Sequence, residues 1–138
     1  MVMRYLFDTN FISELKKNEQ ANRGVQDWVL RNDSSLCALS VVTLAEIRKG
    51  IEIKRRTDTR QAFAIEQWLE GVLVDFAESI LPVTVQIADR WGRLMAATRL
   101  PGTDMLLAAT ALEHGLTVIT RNVKDFEGSG VSLHNPWK

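Results

Sequence analysis

The stretch that most constrains this chain is Asp104-Met105-Leu106-Leu107-Ala108-Ala109-Thr110-Ala111-Leu112-Glu113-His114-Gly115, which runs straight into Leu116-Thr117-Val118-Ile119-Thr120. The first part reads as a helix that is apolar almost all the way round, with an acid at its start and glycine just past its end. The second part is β-branched and nearly continuously apolar, the pattern of a strand buried on both faces. Neither can stand at a surface, so further elements must cover both. With 138 residues the chain is long enough for one sizeable core and too short for two, and residues 1–138 are read as one domain.

The remaining sequence supplies those elements in alternation. Residues 3–7 form a strand, and Thr9 or Asn10 caps a short helix through Phe11, Ile12 and Leu15. After a polar turn, Val25, Trp28 and Val29 recur at helical spacing over 21–32, and Leu36 to Leu39 is a second strand. Ser40 caps a helix from Val41 to about Arg56, whose first half is apolar on nearly every side except at Glu46 and should be buried. Asp58 or Thr59 starts an amphipathic helix that runs to Phe76 and makes a helical hairpin with the one before it. Ile80 to Val83 is extended, Thr84 caps a helix carrying Ile87, Trp91 and Leu94, and Pro101-Gly102 breaks the chain. Val131 to Leu133 is a last strand. The expected fold is α/β: a three-layer α/β/α sandwich around a small, mostly parallel sheet.

Composition narrows the function classes. Lys and Arg together number 17 and so do Asp and Glu, so no global charge draws the chain to nucleic acid or membrane. Cys37, inside an apolar run, is the one cysteine and reads as a small buried hydrophobe. Too few apolar residues precede Asp8 for a signal-peptide core, and no run approaches the ~18 residues that span a bilayer. A cytoplasmic protein is expected.

In open parallel sheets, functional groups gather beyond the C-terminal ends of the strands. Asp8 ends the first strand there, Asn122 and Asp125 follow the 116–120 strand, and Ser40 opens the helix that carries Glu46. Asp104 joins them if its helix packs antiparallel to the strand it leads into. Each acid has an ordinary structural reading as well: Asp8 and Asp104 as helix caps or first-turn acids, Asp125 as a turn cap. Glu46 is the hardest to explain so, because an acid in an apolar helix needs a partner, and Arg48 or Lys49 is poorly spaced to be one. Several carboxylates converging at one edge oppose folding unless a cation neutralises them. Carboxylates with an amide are hard donors suited to Mg²⁺ or Mn²⁺, whereas zinc calls for more than Cys37, His114 and His134.

In order and spacing, Leu6-Phe7-Asp8-Thr9-Asn10, the Ser40 to Gly50 helix with Ala45-Glu46-Ile47, Asp104 with Leu107 to Ala111, Thr120-Arg121-Asn122-Val123-Lys124-Asp125-Phe126 and Asn135-Pro136-Trp137 resemble the PIN-domain ribonucleases, specifically the VapC/FitB-like toxins of toxin–antitoxin pairs. The resemblance implies a metal-dependent endoribonuclease with Asp8, Glu46 and Asp104 around Mg²⁺ or Mn²⁺. Asn122 and Asp125 share the fourth corner, and Thr9 supplies a supporting hydroxyl. It further implies an RNA substrate, a homodimer, and a small cognate antitoxin that covers the site; the basic run from Arg48 and Lys49 to Arg60 reads either as a guide for the RNA backbone or as a solvated helix end. Two other readings stand beside it. A phosphatase of the haloacid-dehalogenase type also uses an acid after its first strand but wants a second acid where Asn10 stands. A non-catalytic module would keep the fold to bind a protein.

Overall fold

The computed structural model describes residues 2–100 and 102–138; the break expected at Pro101 lies outside the described residues. In chain order the elements are β1 (Tyr5–Phe7), α1 (Thr9–Leu15), α2 (Arg23–Arg31), β2 (Cys37–Ser40), α3 (Val41–Arg55), α4 (Thr59–Asp75), β3 (Ile80–Leu81), α5 (Val85–Ala97), α6 (Gly102–His114), β4 (Thr117–Ile119) and β5 (Ser132–His134). The strands form one sheet in the order β3-β2-β1-β4-β5. All its pairings are parallel, with Tyr5 level with Cys37 and Thr117, and Phe7 level with Ile119. β1 is therefore the centre of the sheet, and every strand end of one polarity opens on the same edge.

Period-two alternation sorts the core into two faces. Phe7, Cys37, Leu39 and Ile119 point toward α1–α4, where Phe11, Ile12, Val25, Ile47, Ile51, Leu69 and Val72 meet them. Leu6, Ala38 and Val118 point the other way, onto Met105, Leu107, Ala108 and Ala111 of α6. The opposite side of α6 buries Leu106 and Ala109 against Ile87 of α5. A helix sandwiched between a sheet and another helix has no solvent face, which is why α6 is apolar all round. Gly115, at φ +67°, ends α6 in the left-handed conformation that glycine adopts at little cost.

Two expectations are corrected. Asp8 itself, not Thr9 or Asn10, caps α1, its carboxylate accepting from the Phe11 amide. The first half of α3 is not buried all round, because Val41 and Ala45 are exposed while Thr43 and Ile47 face inward. α3 packs on β2, α4 and the start of α1, so one of its sides stays in water. The caps expected at Ser40, Asp58 and Thr84 are all formed.

The chain closes by strapping residues 135–138 across α1 and α2. Asn22 caps α2 and also clasps Lys138, its side-chain oxygen accepting from the Lys138 amide at 3.1 Å and its nitrogen donating to the Lys138 carbonyl at 2.9 Å. The Pro136 carbonyl oxygen would lie 2.0 Å from a Cβ at Gly24, so only glycine admits the strap there. Gly→Ala inside a helix ordinarily stabilises by up to ~1 kcal/mol. Here Gly24→Ala should instead cost about 1–3 kcal/mol through overpacking, read by urea denaturation; a neutral or stabilising result would show that the strap is not held as described.

Candidate active site

The strand register builds the site. Because Phe7 is level with Ile119, the next residues, Asp8 and Thr120, stand side by side and point to the same face of the sheet. The Asp8 amide donates to the Ile119 carbonyl at 3.2 Å, and the Thr120 amide to that of His134 at 3.0 Å. Thr120, fully buried, donates its hydroxyl to Asp8 Oδ2 at 2.5 Å, and Asp8 Oδ1 accepts from the Phe11 amide at 2.7 Å. Asp8 is only 5% exposed, and both of its oxygens are anchored. Burial raises its pKa above the ordinary carboxylate value. The bonds from Thr120 and Phe11 oppose that shift, and the charge of Glu46 adds to it.

Glu46 comes from the opposite direction. It is half-buried on α3, and its Oε1 accepts from the hydroxyl of Thr9 at 2.6 Å, with Thr43 Oγ1 lying 3.5 Å from that same hydroxyl. Its partner is therefore a neutral hydroxyl from the start of α1. Neither Arg48 nor Lys49 reaches it. Arg48 is bound to Glu66 of α4 at 2.5 Å and to Glu52 at 3.4 Å, in a network with Arg55 that ties the α3–α4 hairpin together. Lys49 is exposed and makes no ion pair among the described residues.

Asp104 closes the edge from the other layer. It lies in the first turn of α6, half-buried, with its pKa pushed up to about 6, first by burial and then by the charges of Asp125, Glu46 and Asp8. The acids of four separate segments thus share one field. Asp125 is the largest of the three charges felt at Asp104. Asn122 starts the 3₁₀ turn Val123–Phe126, and its amide donates to the same Thr120 hydroxyl at 3.0 Å. Among the described residues, no three Asp, Glu, His or Cys side chains close on a common point. The carboxylates fit a hard divalent cation by donor type and by the repulsion it would relieve.

Thr120 is the site residue that reading along the chain did not single out. A threonine at the end of an apolar strand is ordinary, and its pairing with Asp8 follows only from the register of strands far apart in sequence. Cys37 is buried, with its thiol pushed up to about 11, so it is no nucleophile in this setting. His114 and His134 are both exposed at the ends of their elements. Trp28 belongs to the aromatic core with Tyr5, Phe7 and Phe11.

Comparison with known proteins gives one consistent result. The family model for the PIN domain matches residues 5–127. The VapC ribonuclease Y4jK of Sinorhizobium fredii is 35% identical, over 96% of this chain and 97% of its own. A crystal structure of FitAcB from Neisseria gonorrhoeae matches with a TM-score of 0.87 at 31% identity, covering 96% of this chain and 98% of that one. A toxin–antitoxin complex from Klebsiella pneumoniae matches with a TM-score of 0.74 at 28% identity, covering 97% and 98%.

The raised pKa of Asp104 makes a signed prediction for the protein freed of divalent ions. An acid whose folded pKa is above its unfolded one costs stability once the pH exceeds the unfolded value of 3.8, and the cost is complete above about 6. Asp104→Asn removes that cost and loses a favourable helix-dipole contact worth about 0.5 kcal/mol. The variant should gain about 1 kcal/mol at neutral pH, after discounting for solvent screening. Thermal melts at pH 7.5 and pH 3.5 check this: the variant should melt a few degrees higher at the first and level with the parent at the second. A lower Tm at pH 7.5 would contradict the shared field.

Proposed function

The chain belongs to the PIN-domain family, among its VapC/FitB-like members, and from that premise we propose that it is a divalent-cation-dependent endoribonuclease, the toxin of a toxin–antitoxin pair. The observation that carries the reading is the field at Asp104, where acids from β1, α3 and the turn after β4 act on a carboxyl delivered by α6. Nothing in core packing calls for such an arrangement, and a nuclease acting on a phosphodiester does.

Asp8, Glu46 and Asp104 would hold Mg²⁺ or Mn²⁺, with Asp125 as the charged member of the fourth corner and Asn122 beside it. When bound, such a cation supplies the positive charge that hydrolysis of a phosphodiester needs around the attacked phosphorus. The protein's own part is to keep its donors in place beforehand. Thr120 and the Phe11 amide fix both oxygens of Asp8. Thr9 turns Glu46 toward the strand edge. Asp104 rides on a helix buried between two layers, so its backbone does not yield to the repulsion around it. A haloacid-dehalogenase-type mechanism would need an acid at position 10, where Asn10 is exposed on α1.

The name of the Sinorhizobium relative supports RNA as substrate, and the Klebsiella complex supports an antitoxin partner. A homodimer in the cytoplasm completes the reading. Among the described residues no helix is long and apolar enough to cross a membrane.

The test is cleavage of total RNA by the purified protein, with growth arrest on expression as a second readout. Asp8→Asn and Glu46→Gln should each lower cleavage by at least about a hundredfold while keeping the fold, as a ~3 kcal/mol loss of charge stabilisation implies. EDTA should abolish cleavage and Mn²⁺ restore it. Thr120→Val should weaken Mn²⁺ binding and Thr120→Ser should keep most of it. Undiminished cleavage by Asp8→Asn, or in excess EDTA, would overturn the proposal.

A further inference from the structure

Four arginines of this chain are committed to carboxylates: Arg48 and Arg55 to Glu52 and Glu66, Arg90 to Glu113, and Arg93 to Asp89. Arg121, like Arg4, Arg23, Arg31, Arg56, Arg60 and Arg99, makes no ion pair among the described residues, and of these it is the one laid on an aromatic ring. It stands between Thr120, whose hydroxyl holds Asp8, and Asn122, whose amide donates to that same hydroxyl. Its backbone is thus fixed on both sides, while its charge is felt at Glu14 and not at Asp8 or Asp104. Its guanidinium lies 6.0 Å over the ring of Trp137 and, among the described residues, donates no side-chain hydrogen bond and makes no ion pair. The carboxylate that feels its charge, Glu14, is already engaged by Lys17 at 2.9 Å and by the Asn22 amide at 2.8 Å.

The platform beneath Arg121 is held from several directions. Trp137 sets its ring edge-on to Phe11 at 5.9 Å, and Phe11 is the residue whose amide donates to Asp8. The Trp137 amide donates to Asn135 Oδ1 at 2.9 Å, while Asn135 Nδ2 donates to the Arg121 carbonyl at 3.4 Å. The strap is then fastened by Asn22 on Lys138, by the Lys138–Asp27 ion pair at 2.9 Å, and by the close approach of Pro136 to Gly24.

A guanidinium lying on an aromatic face is oriented without using its in-plane N–H donors, and those donors match the oxygens of a phosphate in a two-point fork. The acids of the site repel a polyanion, so a strand that reaches them gains from fixed positive charge along its approach. From these observations we infer that Arg121, laid on Trp137 by the strap of residues 135–138, is a substrate-binding residue that takes a phosphodiester group of the RNA strand outside the acid cluster, on the Glu14 side. This rests on the ribonuclease reading above. Arg121 acts in binding, while the acids and Thr120 act on the cation, so the two parts separate experimentally.

The experiment measures binding of a short labelled single-stranded RNA of mixed sequence by fluorescence anisotropy across a salt series. It is paired with KM and kcat on total RNA and with calorimetric Mn²⁺ titration. Arg121→Gln should weaken RNA binding about tenfold, with similar losses for different RNA sequences. It should also flatten the slope of log affinity against log salt by about 0.7, one phosphate's share on a single strand. KM should rise with kcat within about twofold, as expected for a lost uniform contact, and Mn²⁺ affinity should not move. Arg121→Lys should recover part of the affinity. Gly24→Ala, far from the acids, should reproduce part of the loss by loosening the strap.

An Arg121→Gln protein with unchanged RNA affinity, salt slope and KM overturns the inference, and so does a variant whose loss lies in binding a protein partner while its RNA affinity stays intact. A parent protein that neither binds nor cleaves RNA would instead overturn the ribonuclease reading.

Discussion

Asp8 is a buried carboxylate at the end of the central strand, and the arrangement that keeps it there organises most of what surrounds it. Leaving such a group in a core without partners costs several kcal/mol. Two donors offset that cost here, one from the first turn of α1 and one from the end of β4. The first makes the strand run directly into the helix with no intervening loop. The second depends on the β1–β4 register, because a slip of one residue would carry Thr120 to the opposite face of the sheet and leave Asp8 Oδ2 alone. The hydroxyl that completes Asp8 also accepts from the Asn122 amide, so the turn that carries Asp125 is positioned by the same atom. Stability of the sheet centre and geometry of the site are one problem in this protein.

The remaining acids arrive on elements whose packing leaves them little freedom. α6 is buried on two sides, which fixes Asp104 at the sheet edge against the fields of Asp8, Glu46 and Asp125. α3 is less enclosed, and there a side-chain contact, Thr9 to Glu46, does what burial does for α6. Around this acidic centre the fixed cations are arranged unequally. Arg48 and Arg55 hold the α3–α4 hairpin together, whereas Arg121 lies on an aromatic platform and makes no ion pair among the described residues.

Much of this was legible along the chain because it rests on local rules. Helix caps at Ser40, Asp58 and Thr84 follow from residue type and position, and the layering follows from which runs are apolar on one side or on both. One oxygen of Asp8 caps α1 while the other faces Thr120, so its capping role does not exclude the role proposed for it at the site. What could not be read locally depends on pairs distant in sequence. The exposure of Val41 and Ala45 reflects how far α4 and the sheet extend over α3. Arg48 reads along the chain as a free cation because its partner Glu66 sits on another helix. Thr120 looked like the end of a strand because its role exists only once β1 and β4 are in register. The platform under Arg121 required knowing that Trp137 returns to Phe11.

On the proposed reading, these acids form one field that a divalent cation relieves. The most direct measurement is a calorimetric Mn²⁺ titration repeated from pH 5 to pH 8 in buffers of different ionisation enthalpy, which counts the protons released per ion bound. With Asp104 pushed up to about 6, binding should release most of a proton near pH 5 and almost none at pH 8, and affinity should rise over that interval. The release near pH 5 should shrink in Asp104→Asn, leaving what the buried Asp8 contributes. Mn²⁺ binding with no proton release anywhere in that range, or no binding at all, would contradict the account.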